Sequence, residues 1–142
     1  MVDAFSAHTR QLGQALHVAA RTGSPPELRT NVIDWLRHQA RAVFTERVAE
    51  YAPRLDVLPP PLGLSNARTQ WGSCNARGRV LLNWRLIHVP LHLVDYVVAH
   101  ELAHLREMNH SSRFWTLVEK AYPGCRAARV ELNRVEKHIP NL

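Results

Sequence analysis

Only two cysteines, Cys74 and Cys125, occur in the chain. Two are too few for a secreted disulfide scaffold and fit a reducing cytoplasm. No apolar run approaches the roughly 18–20 residues of a membrane span, which excludes a transmembrane helix and a membrane partner. The first residues have no basic start followed by an apolar block, which excludes a secretory signal. Repeats and low-complexity tracts are missing, which excludes solenoids and arrays. Lysine is also scarce: of 18 basic residues only Lys120 and Lys137 are lysines, and the rest are arginines.

What is present is ordinary globular composition. The chain has 142 residues, 46% hydrophobic and 21% charged, enough for one domain with its own core and too apolar for a disordered chain. The net charge of +6 is uneven. Residues 62–142 hold 11 basic and 6 acidic residues, so most of the excess lies in that part. A basic half permits contact with nucleic acid without requiring it.

The hydrophobic pattern outlines the elements. After Pro25-Pro26, the residues Val32, Trp35, Leu36, Ala40, Val43, Phe44, Val48 and Tyr51 recur at three- and four-residue steps, predicting a long amphipathic helix that ends before Pro53. A thinner stripe, Leu12, Leu16 and Ala19, suggests a helix over 8–20. Pro59-Pro60-Pro61 is a rigid connector. Arg68 to Trp71 reads as a strand, Gly72 to Gly78 as a turn, and Val80 to Leu86 as a second strand, together an antiparallel hairpin.

Pro90 opens a helix expected to run to Met108, with Leu91, Val94, Val98, Leu102 and Leu105 on one face and a left-handed Asn109 as its stop. Ser111 or Ser112 caps a following helix, and a last helix covers about 126–138. This order is α+β with a small antiparallel sheet. The domain is read as 25–142, with 1–24 as an N-terminal extension.

His100-Glu101-Leu102-Ala103-His104 is the H-E-x-x-H pattern, set in the chain's clearest helix. His100 and His104 are one turn apart, so both imidazoles reach one ion. Glu101 lies about 100° round the helix, beside the place of a metal-bound water, where it can take a proton and pass it to a leaving amine. His110 lies just past the helix end, and a sharp turn there would aim it at the ion. Three histidines and a water form the open site of a catalytic zinc. Glu119, on the next helix, is the rival third ligand, with a solvated charge as its plainer reading. The metzincin class is disfavoured: its glycine three residues after the second histidine is Glu107 here, and Met1 and Met108 offer no downstream Met-turn. His8, His17, His38, His88, His92 and His138 read as surface residues. Cys74 is a weak candidate nucleophile, and Cys125 a small buried or capping residue.

The segments Arg68-Thr69-Gln70-Trp71-Gly72-Ser73-Cys74, Leu82-Asn83-Trp84-Arg85-Leu86, Asp95 to Leu105, and Asn109-His110-Ser111 with Phe114-Trp115 resemble the YgjP-like zinc metallopeptidases, relatives of the SprT-like and WLM proteases. The resemblance spans roughly residues 62–135. It implies a minimal zincin core, Zn2+ held by His100, His104 and His110, Glu101 as general base, and a protein or peptide substrate. Members usually carry more β-rich sequence upstream, so a short member or a piece of one is implied. Trp71, Gly72 and Ser73 read as a strand edge for an extended peptide, or else as a core tryptophan and a plain turn. Asn83, Arg85 and Tyr122 are candidates for contacting the reacting group, Asn83 being grouped with the substrate-binding set. A nucleic-acid-associated zinc protein is the alternative function, because the related proteases act on proteins at DNA and Arg68, Arg77, Arg79 and Arg85 fall around the hairpin.

Overall fold

The computed structural model describes residues 26–139 except Arg68. The expected helix over 8–20, the extension 1–24, His8, His17 and Arg68 therefore lie outside the described residues.

Helix α1 (Pro26–Tyr51) is about 39 Å long at 1.5 Å per residue. Its buried stripe is Leu36, Ala40, Phe44, Val48 and Tyr51, the three- and four-residue spacing read from the sequence. Pro53 starts a 3-10 turn (Pro53–Leu55), and Asp56, in the left-handed region at φ 55°, sends the chain into the proline connector.

Three short strands follow: β1 (Leu62–Ser65), β2 (Gly72–Cys74) and β3 (Val80–Asn83). The sheet order is β1-β3-β2, with β3 parallel to β1 and antiparallel to β2. The α+β class holds, but the sheet is mixed, and the first arm of the expected hairpin is misplaced. Asn66, Ala67 and Thr69 to Trp71 lie between the two edge strands, and the strand begins at Gly72, inside the expected turn.

Asn83 explains the shift. Its side chain, 2% exposed, donates to the carbonyls of Ala67 (2.6 Å) and Gln70 (3.2 Å) and accepts from the Arg85 N–H (3.0 Å). One amide thereby holds the crossing in place and caps the 3-10 helix Trp84–His88, which replaces the end of the expected second strand. Trp84 adds a bond from its indole N–H to Asn66 Oδ1 at 3.0 Å.

Helix α2 (Leu91–Ala103) is the centre of the molecule; all residues from Leu93 to Ala99 are buried. It is enclosed by α1 and by the later helices α3 (Ser112–Ala121) and α4 (Cys125–Val135) rather than presenting a single apolar face. Arg47 on α1 grips Asp95 on α2 through two bonds, Nε to Oδ1 at 2.6 Å and Nη2 to Oδ2 at 2.9 Å, and Tyr51 donates its hydroxyl to Oδ2 at 3.3 Å. This fork fixes α2 both along and around its axis.

α2 ends at Ala103, earlier than the expected Met108. The N–H groups of Leu105 and Arg106 bond to carbonyls three residues back, which tightens the last turn. Asn109 is not left-handed; Asp56 is the sole non-glycine with positive φ among the described residues. Ser111 caps α3 by accepting the Phe114 N–H, as expected. A 3-10 turn (Glu136–His138) follows α4. No described helix is long and apolar enough to cross a membrane.

Candidate metal centre

The helix places His100 and His104 on one side of α2, and the tightened end of α2 followed by the Ser111 cap brings His110 back to them. Their ligand atoms all lie within 4.8 Å of one another. His100 Nε2 and His110 Nε2 are 3.4 Å apart. Two nitrogens bound at about 2.0–2.1 Å to one tetrahedral ion stand roughly 3.3 Å apart, so this spacing suits two ligands of one ion. His104 Nδ1 faces the Glu107 carbonyl at 3.1 Å; a proton on Nδ1 leaves Nε2 as the free lone pair.

Electrostatics favour neutral rings. Burial, helped by the neighbouring His104, His110 and Arg129, pushes His100 down to about 3. Burial also lowers His104. Neutral imidazoles are the ligand form, so His100 and His104 are held ready for a divalent cation.

Aromatic rings wall the cluster. Phe114 stacks on His104 at 4.4 Å and 23°, and meets His100 and His110 edge-on, both at 4.9 Å. Trp115 stacks on His110 at 6.1 Å and 27°. In the sequence Phe114 and Trp115 stand only among the segments that carry the family resemblance, with no place at the metal. Their position in the first turn after the Ser111 cap, adjacent to His110, is the signal that could have indicated them.

Glu101 is buried against β2. An ideal Cβ on Gly72 would lie 2.8 Å from Glu101 Cγ and 2.9 Å from its Oε2. The edge strand approaches the carboxylate this closely because residue 72 has no side chain. Desolvation raises the Glu101 carboxyl to about 7, the range in which a carboxylate both takes and returns protons at neutral pH.

Trp71 is half-buried just before β2, and its indole N–H reaches Glu136 Oε2 at 3.2 Å. Ser73 is half-buried on the same edge strand. Asn83 is buried, and its amide bonds to the carbonyls of Ala67 and Gln70 and to the Arg85 N–H, supporting the crossing. Glu119 is not in the histidine cluster: its oxygens accept the N–H groups of Gly124 (2.9 Å) and Cys125 (3.1 Å) at the start of α4, and the Cys125 thiol together with these N–H groups lowers its carboxyl.

His88 is buried and not at the surface, and burial with the nearby Arg85 charge lowers it to about 4. His92 is exposed and meets Glu131 at 2.5 Å. His38 and His138 are exposed. Cys74, beside Glu101, has its thiol raised by burial and by that carboxylate, the opposite of an activated nucleophile. Cys125 is buried, and burial and Glu119 push its thiol up to about 11. Of the four arginines, Arg77 and Arg79 are exposed near the β2–β3 turn, and the Arg85 guanidinium lies 4.8 Å from the Trp84 ring centroid.

The sequence pattern of the YgjP-like metallopeptidase domain matches residues 4–135, nearly the whole chain. The chain belongs to the YgjP-like metallopeptidase family. Membership implies a divalent metal, a place for which the three-histidine cluster offers, and a protein or peptide substrate.

Two solved structures share the fold. The metallopeptidase zymogen abylysin of Pyrococcus abyssi is 26% identical, over 66% of this chain and 93% of its own, with a TM-score of 0.58. The metallopeptidase zymogen jannalysin of Methanocaldococcus jannaschii, 19% identical over 68% of this chain and 97% of its own at a TM-score of 0.56, shows the likeness of fold alone. No curated protein matches the chain.

Proposed function

We propose that this YgjP-like protein is a zinc peptidase in which His100, His104 and His110 hold the metal and Glu101 is the general base. The observation that carries the reading is the Glu101 carboxylate, buried beside three convergent imidazoles and against the Gly72 backbone of an edge strand. When bound, zinc supplies Lewis-acid polarisation of the scissile carbonyl and acidifies the attacking water.

The chain's own residues do the rest. β2 lies at an edge of the sheet, so an extended peptide can add there through backbone hydrogen bonds, along Trp71, Gly72 and Ser73. The scissile bond then lies beside Glu101. Its carboxylate accepts a proton from the attacking water and returns it to the leaving amine nitrogen as the C–N bond breaks. A carboxyl near 7 suits both halves of that transfer. Phe114 packs on the His104 ring and Trp115 on the His110 ring, which fixes their orientation while His110 stays exposed. We read 25–142 as the peptidase unit and 1–24 as an extension, which the family pattern covers from residue 4, and two free thiols fit a cytoplasmic setting.

The test is metal analysis of the purified chain, then incubation with a peptide mixture read by mass spectrometry, with and without chelator. Bound zinc and new peptide termini that vanish with chelator are expected. A zinc-loaded protein that cuts no peptide overturns the reading.

A further inference from the structure

An open cleft of about 630 Å³ adjoins the histidine cluster, lined by α3 and the first turns of α4. Trp115 belongs to both. Its indole stacks on His110 and approaches His100 edge-on at 5.6 Å. The Arg129 guanidinium lies over the same indole, 5.4 Å from the ring centroid. Arg129 is also close enough to His100 and Tyr96 for its charge to act on both.

The cleft is cationic. Lys120, Arg126 and Arg129 line it against one acid, Glu119. Glu119 is already occupied by the Gly124 and Cys125 N–H groups, so it does not neutralise Arg129 by contact. Among the described residues Arg129 has no ion-pair partner; its neighbour is the indole. A guanidinium stacked on a ring is held in plane with its N–H edge available, the arrangement that receives a carboxylate through two parallel bonds.

We propose that Arg129 is a specificity-determining residue that receives a carboxylate of the bound peptide, from an acidic side chain or from the C-terminus, in the cleft beside Trp115. The inference rests on the peptidase reading above and names its substrate class: peptides with a negative charge close to the scissile bond. Lys120 and Arg126 add a field that draws such peptides in.

The experiment uses the full zinc-loaded chain and peptides matched in pairs: Glu against Gln near the scissile bond, and free acid against amide at the C-terminus. Each pair is followed by kcat/KM and, on Glu101→Gln protein, by calorimetric Kd. The charged member of one pair is expected to be favoured about tenfold in both readouts, the scale of one charged hydrogen bond in a solvent-accessible site. Which pair responds identifies the source of the carboxylate. Arg129→Gln is expected to bring the ratio close to one, Arg129→Lys to restore part of it, and Arg129→Glu to favour a Lys peptide instead. Arg129 is exposed on a helix, so circular dichroism and the melting temperature verify that the variants fold.

A ratio near one in the wild type, or a ratio unchanged in Arg129→Gln, overturns the assignment. Cleavage without charge preference sinks this inference and leaves the peptidase reading standing. A tenfold binding preference lost in Arg129→Gln, with no cleavage of any peptide, supports the cleft and overturns the peptidase reading.

Discussion

Gly72 on the edge strand and Glu101 on the central helix are in direct contact: the space that a Cβ on residue 72 would fill is occupied by the Glu101 carboxylate, with Cγ 2.8 Å and Oε2 2.9 Å away. The strand that would receive the peptide and the group that would move the proton therefore constrain each other. A change in one displaces the other.

The first prediction follows from this contact. Gly72→Ala is expected to push Glu101 out of line and to lower kcat/KM by about 100-fold, the cost of a misplacement near 1 Å. Zinc content should stay at the wild-type level because the three atoms nearest a Cβ at residue 72 all belong to Glu101. Steady-state kinetics with metal analysis decides it; wild-type kcat/KM in Gly72→Ala would mean that Glu101 has room to adapt.

A second set separates base from ligands. Glu101→Gln should keep the metal and lose about 10²–10⁴ in turnover, since binding survives and proton transfer does not. His104→Ala and His110→Ala should lose metal as well as activity. Glu119→Ala should retain metal and melt at a lower temperature, because it removes a cap from the start of α4. Metal loss in Glu119→Ala with full metal in His110→Ala would move the third ligand to the glutamate.

The Arg47–Asp95 fork predicts a stability effect away from the chemistry. Asp95→Ala strands a largely buried guanidinium and is expected to cost about 3–5 kcal/mol in denaturant unfolding. Because α2 also carries His100 and His104, weakened metal binding should accompany the loss. A cost below about 1 kcal/mol would show that water replaces the carboxylate easily.

His88 predicts a pH dependence of stability. It is 8% exposed, and neither ring nitrogen has a hydrogen-bond partner in the folded chain. Its folded value near 4 lies below the ordinary 6.5. Between these values the unfolded chain binds a proton that the folded chain refuses, so stability rises with pH there. The contribution is complete above about 6.5 and is lost as pH falls towards 4, a difference of about 3 kcal/mol. His88→Leu should flatten that part of the profile. Urea titrations of both proteins from pH 7.5 to 4.5 measure the effect; parallel profiles would show that His88 gains a proton without unfolding.

What the sequence determined by itself was local. Residues three and four apart on a helix share a face whatever surrounds them, so the buried stripe of α1, the pairing of His100 with His104 and the flanking position of Glu101 were legible from spacing. The Ser111 cap was legible because a cap joins residues within one turn. Helix ends were less so: α2 stops at Ala103 through i→i−3 bonds for which no breaker residue gives a sign.

Tertiary structure alone decided the rest. The mixed sheet depends on how the chain crosses from β1 to β2, which Asn83 fixes by bonding to carbonyls 13 and 16 positions away. The Arg47–Asp95 fork joins residues 48 positions apart. His88 reads as a surface residue, and no sequence pattern singles out Arg129, until the core closes over the His88 ring and Trp115 comes beneath the Arg129 guanidinium. The physical reason is common to all of these. Periodicity records which side of an element a residue occupies, while the partner it meets depends on chain closure, which brings together groups that no local preference connects.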